Sequence, residues 1–183
     1  MVKQPTVINK REDVLNKINE LLPLLSNEDK KIAEDLHHLA IEWNMKIGIG
    51  NIRSNADNTK TNYDITYSAK KPSARSVFVY KIVVMSDKAT FGIKPKFTNI
   101  DTYRPIFERC PDNVKNVIKN ISDCVKRSGG CSGCKGSETT YTIDGIKHNP
   151  CPYKGDYFEN LDTCEWELVR NLIIEEYNAH TTV

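Results

Sequence analysis

The chain has 183 residues, of which 39% are hydrophobic and 27% charged, and its 26 lysines and arginines nearly balance 24 acidic residues, for a formal net charge of +2. This length allows one ordinary domain with a core of its own, and the composition excludes a disordered chain. A dedicated nucleic-acid-binding domain usually carries a marked basic excess, which is missing here. The sequence contains neither a signal peptide nor an apolar run long enough for a membrane span, so we expect a cytoplasmic protein.

Two helices are predicted at the start of the chain, where apolar residues recur at helical spacing. The first covers 11–22 and ends at Pro23. The second begins after Ser26, because Ser26 and Asp29 resemble a capping box with Asp in place of Glu, and it continues to about Met45. Its predicted buried stripe consists of Ile32, Leu36, Leu39, Ala40 and Trp43. These helices would form an N-terminal helical hairpin.

The middle of the chain predicts an antiparallel meander of about four strands. Alternating or continuous apolar residues, bounded by polar turns, indicate strands at 46–52, 63–68, 76–85 and 89–97. The third, SVFVYKIVVM, is nearly continuous in β-branched and aromatic residues, which is typical of a central strand covered on both faces. Several aromatic residues could line a pocket over this sheet, although most such residues belong to a core: Trp43, Tyr63, Tyr67 and Tyr80.

The last third predicts helices and one hairpin. The pattern TNID at 98–101 resembles a capping box, which would open a short helix ending near Cys110. A longer helix would start at Pro111 and continue to Val125, before the glycines of RSGG. The pair Asp144-Gly145 favours a type I′ turn within the hairpin TYTIDGIKHN. A closing helix, capped by Asp162 or Thr163, would bury Trp166, Val169, Ile173 and Tyr177.

These elements predict one α+β domain over 1–183, with a C-terminal helical subregion at 98–183. The sequence contains six cysteines: Cys110, Cys124, Cys131, Cys134, Cys151 and Cys164. A reducing cytoplasm makes a disulfide framework improbable for them. From Cys124 onward the spacing is C-x6-C-x2-C-x16-C.

This spacing predicts a structural zinc site, a zinc knuckle, within the C-terminal helical subregion at 98–183. The C-x2-C pair places two thiolates on one tight loop rich in glycine, and the predicted hairpin would return the chain to its starting point. Four thiolates can then meet the tetrahedral preference of zinc. The predicted ligands are Cys124, Cys131, Cys134 and Cys151, with His148 as an alternative to Cys124 or Cys151.

Other interpretations of these cysteines remain open. Unligated buried cysteines behave as small hydrophobic residues. A thioredoxin-like redox pair is disfavoured, because that motif follows a strand and opens a helix. A catalytic zinc would need an open position and histidine or carboxylate ligands. Cys110 and Cys164 lie at predicted helix ends and are not expected to be ligands.

The stretch NIDTYRPIFERCPDNVKNVIKNISDC, the C-x2-C pair, YTIDGIKHNPC and the acidic closing helix resemble a family of small uncharacterised bacterial proteins. The resemblance covers roughly residues 75–178 and is clearest from residue 98. It implies that cysteines matching Cys124, Cys131, Cys134 and Cys151 recur in the family, and it implies no activity.

Three function classes follow. The first is a zinc-stabilised binding or regulatory module for a small molecule or a protein, because no catalytic motif is visible. The second is a nucleic-acid-binding protein using basic residues near the knuckle: Lys115, Lys119, Lys126, Arg127 and Lys135. The near-neutral charge disfavours it. The third is an enzyme with a dispersed site that could include Glu42, Asp64 and His148.

Overall fold

A computed structural model of the protein describes residues 11–53, 61–68, 76–84, 89–124, 140–151 and 156–181. Within these residues the chain forms five α-helices and six β-strands and belongs to the α+β class, which confirms the predicted class. The chain divides into two compact units. Unit 1 comprises Met1–Pro95 with Glu159–Asp162, and unit 2 comprises Lys96–Phe158 with Thr163–Val183. That 1–183 behaves as a single domain stays a prediction.

The first described elements of unit 1 are two helices joined by a 3-10 turn at Leu22–Leu24. Helix α1 is Arg11–Leu21 and helix α2 is Asn27–Glu42, in agreement with the predicted positions. Ser26 caps α2, because its hydroxyl oxygen accepts the Asp29 N–H at 3.1 Å. The capping box is altered: the Asp29 carboxylate accepts from the Ser26 hydroxyl at 2.9 Å.

The four-stranded sheet of unit 1 is the predicted meander. Its strands are β1 Lys46–Arg53, β2 Thr61–Ser68, β3 Ser76–Val84 and β4 Ala89–Pro95. They lie in the order β1-β2-β3-β4, and each is antiparallel to the next. This arrangement needs only short connections between consecutive strands.

One face of this sheet carries the apolar core of unit 1. The register aligns Ile49 with Ile65, and both side chains are buried, as is Ile93 on β4. Side chains alternate along a strand, so this buried face follows from the alternation in the sequence. Most of the predicted α2 stripe is buried, while Trp43 is half-buried where the helix ends.

The described residues of unit 2 form three helices and a hairpin. The helices are α3 Arg104–Arg109, α4 Asp112–Lys119 and α5 Thr163–Thr181, and the hairpin strands are β5 Tyr141–Ile143 and β6 Ile146–His148. Asp144 and Gly145 both have positive φ, at 53° and 76°, as the predicted type I′ turn requires.

Two predicted helix boundaries in unit 2 are wrong. Helix α3 begins at Arg104, with no side-chain cap, because Thr98 donates instead to a distant carboxylate on α5. Helix α4 ends at Lys119, well before Val125. Asn120, Ser122 and Asp123 favour local polar contacts over helix, and the backbone from Ser122 to Cys124 pairs with residues 149–151.

Candidate metal centre

Two of the four predicted metal ligands lie on a short antiparallel pairing in unit 2. Asp123 forms a β-bridge with Pro150, flanked by two hydrogen bonds. The Cys124 N–H donates to the Asn149 carbonyl at 2.7 Å, and the Cys151 N–H donates to the Ser122 carbonyl at 2.9 Å. We call residues 122–124 and 149–151 the cysteine ladder.

The cysteine ladder puts both thiols on the same face. Cys124 is opposite Asn149 and Cys151 is opposite Ser122, so the two cysteines are diagonal neighbours on either side of the Asp123–Pro150 bridge. The Cα atoms of diagonal neighbours on one face lie about 7–8 Å apart. Two sulfurs on one tetrahedral zinc lie about 3.8 Å apart, since each Zn–S bond is about 2.3 Å. Side-chain rotation can close that difference.

The hairpin that leads into Cys151 is held by contacts that need no metal. The Asp101 carboxylate accepts the Thr142 N–H at 3.2 Å, and Arg104 donates to the Thr142 carbonyl at 2.7 Å. Arg104 and Asp101 also form an ion pair. At the turn, Lys119 and Asp144 form a second ion pair at 2.5 Å. The outer edge of β5 therefore has its backbone groups satisfied by α3 and the segment before it.

The remaining cysteines and the alternative histidine are distributed as follows. Cys131 and Cys134 lie outside the described residues. Cys110 is buried at the end of α3, where its thiol donates to the Ile106 carbonyl at 3.5 Å, and Cys164 is exposed. Within the described part of the chain, no group of three or more His, Cys, Asp or Glu residues could hold a metal.

His148 is part of the β5–β6 hairpin. Its ring stacks on Tyr141, with ring centroids 5.8 Å apart and planes 28° from parallel. Tyr141 is 1% exposed, and no described residue accepts or donates a hydrogen bond at its hydroxyl. His148 thus packs against a ring of the unit 2 core.

The main polar cluster that the sequence did not predict surrounds a buried carboxylate on α5. Glu176 is the one buried charged side chain among the described residues. Its Oε2 accepts the backbone N–H groups of Thr98 and Asn99, each at 3.0 Å, and the Tyr103 hydroxyl at 2.5 Å. Its Oε1 accepts the Thr98 hydroxyl at 2.5 Å and the Asn99 side-chain amide at 3.0 Å. The cluster ties the segment before α3 to α5.

Burial and nearby charges shift the pKa values of several side chains in unit 2. Burial, reinforced by the Glu176 charge, raises the pKa of Tyr103 far above its ordinary value, and burial also raises the pKa of Tyr141. At the exposed hairpin turn, the hydrogen bond from Lys119 lowers the pKa of Asp144. Both tyrosine side chains therefore stay neutral near neutral pH, and the Tyr103 hydroxyl donates its hydrogen bond to Glu176.

Unit 1 contains two of the three residues of the dispersed-enzyme hypothesis, and it also contains the two adjacent histidines of α2. The His37 Nδ1 lies 3.0 Å from the hydroxyl of the fully buried Tyr67, while His38 is exposed. Glu42 is exposed at the end of α2, and Asp64 lies on β2. His148, the third residue of the dispersed-enzyme hypothesis, belongs to unit 2.

Comparison with protein-family models, with curated proteins and with solved structures finds no match for this chain. The resemblance to a family of bacterial proteins therefore stays a prediction. No helix among the described residues combines the length and the apolar character that crossing a membrane requires.

Proposed function

We propose that the chain is a zinc-stabilised binding or regulatory module in which Cys124, Cys131, Cys134 and Cys151 hold one structural zinc ion. The cysteine ladder is the observation that carries the proposal. The ladder's two hydrogen bonds are donated by Cys124 and Cys151, which are the first and the last of the four ligands predicted from the sequence. This register places those two thiols on one face as diagonal neighbours.

The chemistry of the donor set supports a structural role for the ion. Thiolates are ligands that zinc prefers, and a closed set of four leaves no open position for water or substrate. Residues 125–148 connect the two halves of the cysteine ladder, so a metal bound there would close this loop. The reducing cytoplasm expected for the chain keeps such thiols available for metal.

The described polar groups favour binding over catalysis. Glu176, the buried carboxylate, already accepts five hydrogen bonds, which is the arrangement of a structural anchor and not of a general base. Lys119, a member of the basic cluster expected for nucleic acid, is paired with Asp144. Because Lys119 is already paired, we favour a protein or small-molecule partner over nucleic acid.

Elemental analysis of protein purified under reducing conditions tests this proposal. One zinc ion per chain is expected for the wild-type protein, and Cys124→Ser or Cys134→Ser should lower the stoichiometry well below one. Cys164→Ser is the matched control, since Cys164 is exposed on α5, and it should keep the full zinc content. Wild-type protein that contains no zinc and cannot be loaded with it would refute the proposal.

A further inference from the structure

The turn of the β5–β6 hairpin carries the one Asp-Gly pair in the sequence, Asp144-Gly145. In such a pair the glycine nitrogen can attack the carboxyl carbon of the aspartate side chain, because glycine has no side chain to obstruct the approach. Both residues are exposed, and the Asp144 side chain is 68% accessible. A Cβ atom built on Gly145 would meet no atom within 4 Å. The space that a reaction between the two residues needs is therefore open.

The reaction of an Asp-Gly pair is an isomerisation that needs only water. The Gly145 nitrogen forms a bond to the Cγ atom of the Asp144 carboxyl group, whose OH leaves as water with the amide proton, and a five-membered succinimide ring results. One water molecule then opens the ring at either carbonyl. Opening at Cγ restores aspartate, whereas opening at the main-chain carbonyl leaves a β-linked isoaspartate. Mass and net charge are the same before and after.

The conformation of the folded turn opposes ring closure. Asp144 and Gly145 have φ of 53° and 76°, the pair of left-handed residues that a type I′ turn requires. In a left-handed residue, with ψ of about +47°, Cβ and the next backbone nitrogen point to opposite sides of the Cα–C bond. The ring needs them on the same side. The turn must therefore open locally before the Gly145 nitrogen can reach the carboxyl carbon.

Lys119 opposes the reaction as well. Its ammonium group lies 2.5 Å from the Asp144 carboxylate, so the ion pair joins the turn to α4 and directs the carboxylate away from Gly145. The same hydrogen bond lowers the pKa of Asp144, and a carboxylate is a poorer leaving group than a protonated carboxyl. Lys115, one turn earlier on α4, acts on Asp144 through its charge alone.

We propose that Asp144-Gly145 is a site of spontaneous isoaspartate formation and that the Lys119 ion pair slows this modification by holding the turn closed. The site is independent of the proposed zinc ion. An isoaspartate adds one atom to the main chain between Ile143 and Ile146, which pair across the turn, so a two-residue type I′ turn no longer fits. The modification would thus loosen the register of β5 and β6.

Ageing of the purified full chain in neutral buffer tests the inference. After digestion, the α-linked and β-linked forms of the peptide that contains residue 144 are separated by chromatography and identified by fragmentation. Lys119→Gln should accumulate isoaspartate about two- to fivefold faster than the wild-type protein, the factor by which an exposed ion pair shifts a local equilibrium. Lys115→Gln is the matched control, with the same loss of charge on the same helix, and it should age close to the wild-type rate.

Two further samples make each outcome decisive. Wild-type chain unfolded in urea gives the rate of the open turn, which should exceed that of the folded protein. Lys119→Arg keeps a cation for Asp144 and should age like the wild type. Folded wild-type protein that forms no isoaspartate at 144 while the unfolded chain converts would overturn the site. A Lys119→Gln protein that ages no faster than Lys115→Gln would overturn the role of Lys119, and both lysines are half-exposed, so neither substitution should unfold the chain.

Discussion

Glu176→Gln is the substitution by which the buried cluster of unit 2 can be examined most sharply. The two side chains have nearly the same size, so the change removes a charge and half of the acceptor capacity with little change in packing. The Glu176 carboxylate accepts five hydrogen bonds from Thr98, Asn99 and Tyr103. A glutamine can accept at one end only, because its other end is an NH₂ donor.

The expected loss in the free energy of unfolding follows from the way in which a glutamine side chain would fit at position 176. Its carbonyl oxygen is best placed at Oε2, where it keeps the two backbone N–H groups and the Tyr103 hydroxyl. Its NH₂ group then faces the Thr98 hydroxyl, which can rotate to accept, and the Asn99 amide, which now meets another donor. Hydrogen bonds to a charged acceptor contribute about 1.5–3 kcal/mol and neutral ones about 1 kcal/mol, so we expect a loss of about 2 kcal/mol in the free energy of unfolding.

Glu176→Ala should cost more, about 4 kcal/mol, because it leaves every donor of the cluster without its acceptor. Urea unfolding of a Trp43→Phe background measures unit 2, since its remaining tryptophan, Trp166, is buried on α5. Glu167→Gln is the matched control, as an exposed residue of the same helix, and it should change the free energy of unfolding by less than about 0.5 kcal/mol. A Glu176→Gln protein as stable as this control would refute the reasoning.

Three further outcomes are expected. Ser26→Ala should lower the stability of unit 1 by about 1 kcal/mol in thermal unfolding, because α2 loses its N-cap; unchanged stability would mean that the cap contributes nothing. Cys164 should react with a thiol reagent in native, metal-loaded protein while Cys110 reacts only on unfolding, because Cys110 is buried and burial raises the pKa of its thiol; equal rates would contradict this placement. Folding raises the pKa of both Tyr103 and Tyr141, so their contribution to stability is complete below about pH 10 and is lost as pH rises beyond it. Replacing both by Phe should flatten that alkaline fall in urea midpoints, and an unaltered slope would assign the fall to other groups.

The parts of the fold that could be predicted are those encoded by local pattern. Helical spacing located α1 and α2, alternation located the strands, and the pair Asp144-Gly145 located the hairpin turn. The boundaries that failed involve partners distant in sequence. Thr98 resembled a helix cap, yet its hydroxyl donates to Glu176, which lies 78 residues away. A local sequence pattern cannot predict a partner that is so distant in the sequence.

The candidate site, too, could be predicted from the sequence only in part. The spacing of Cys124 and Cys151 was readable from sequence, but their common face depends on a backbone pairing that the end of α4 at Lys119 makes possible. Glu176 does carry a signal in the sequence, because it lies three residues after Ile173 on the buried stripe of α5. A charged residue on an apolar stripe indicates a buried polar cluster, because a lone buried charge is too costly to keep.

The measurement that tests the central claim most directly is X-ray absorption at the zinc edge of the purified wild-type protein. The account predicts one zinc ion surrounded by four sulfur atoms at about 2.3 Å, with no nitrogen at about 2.0–2.1 Å. A shell that contains nitrogen or oxygen would contradict the all-thiolate site, and protein without zinc would contradict the metal site itself.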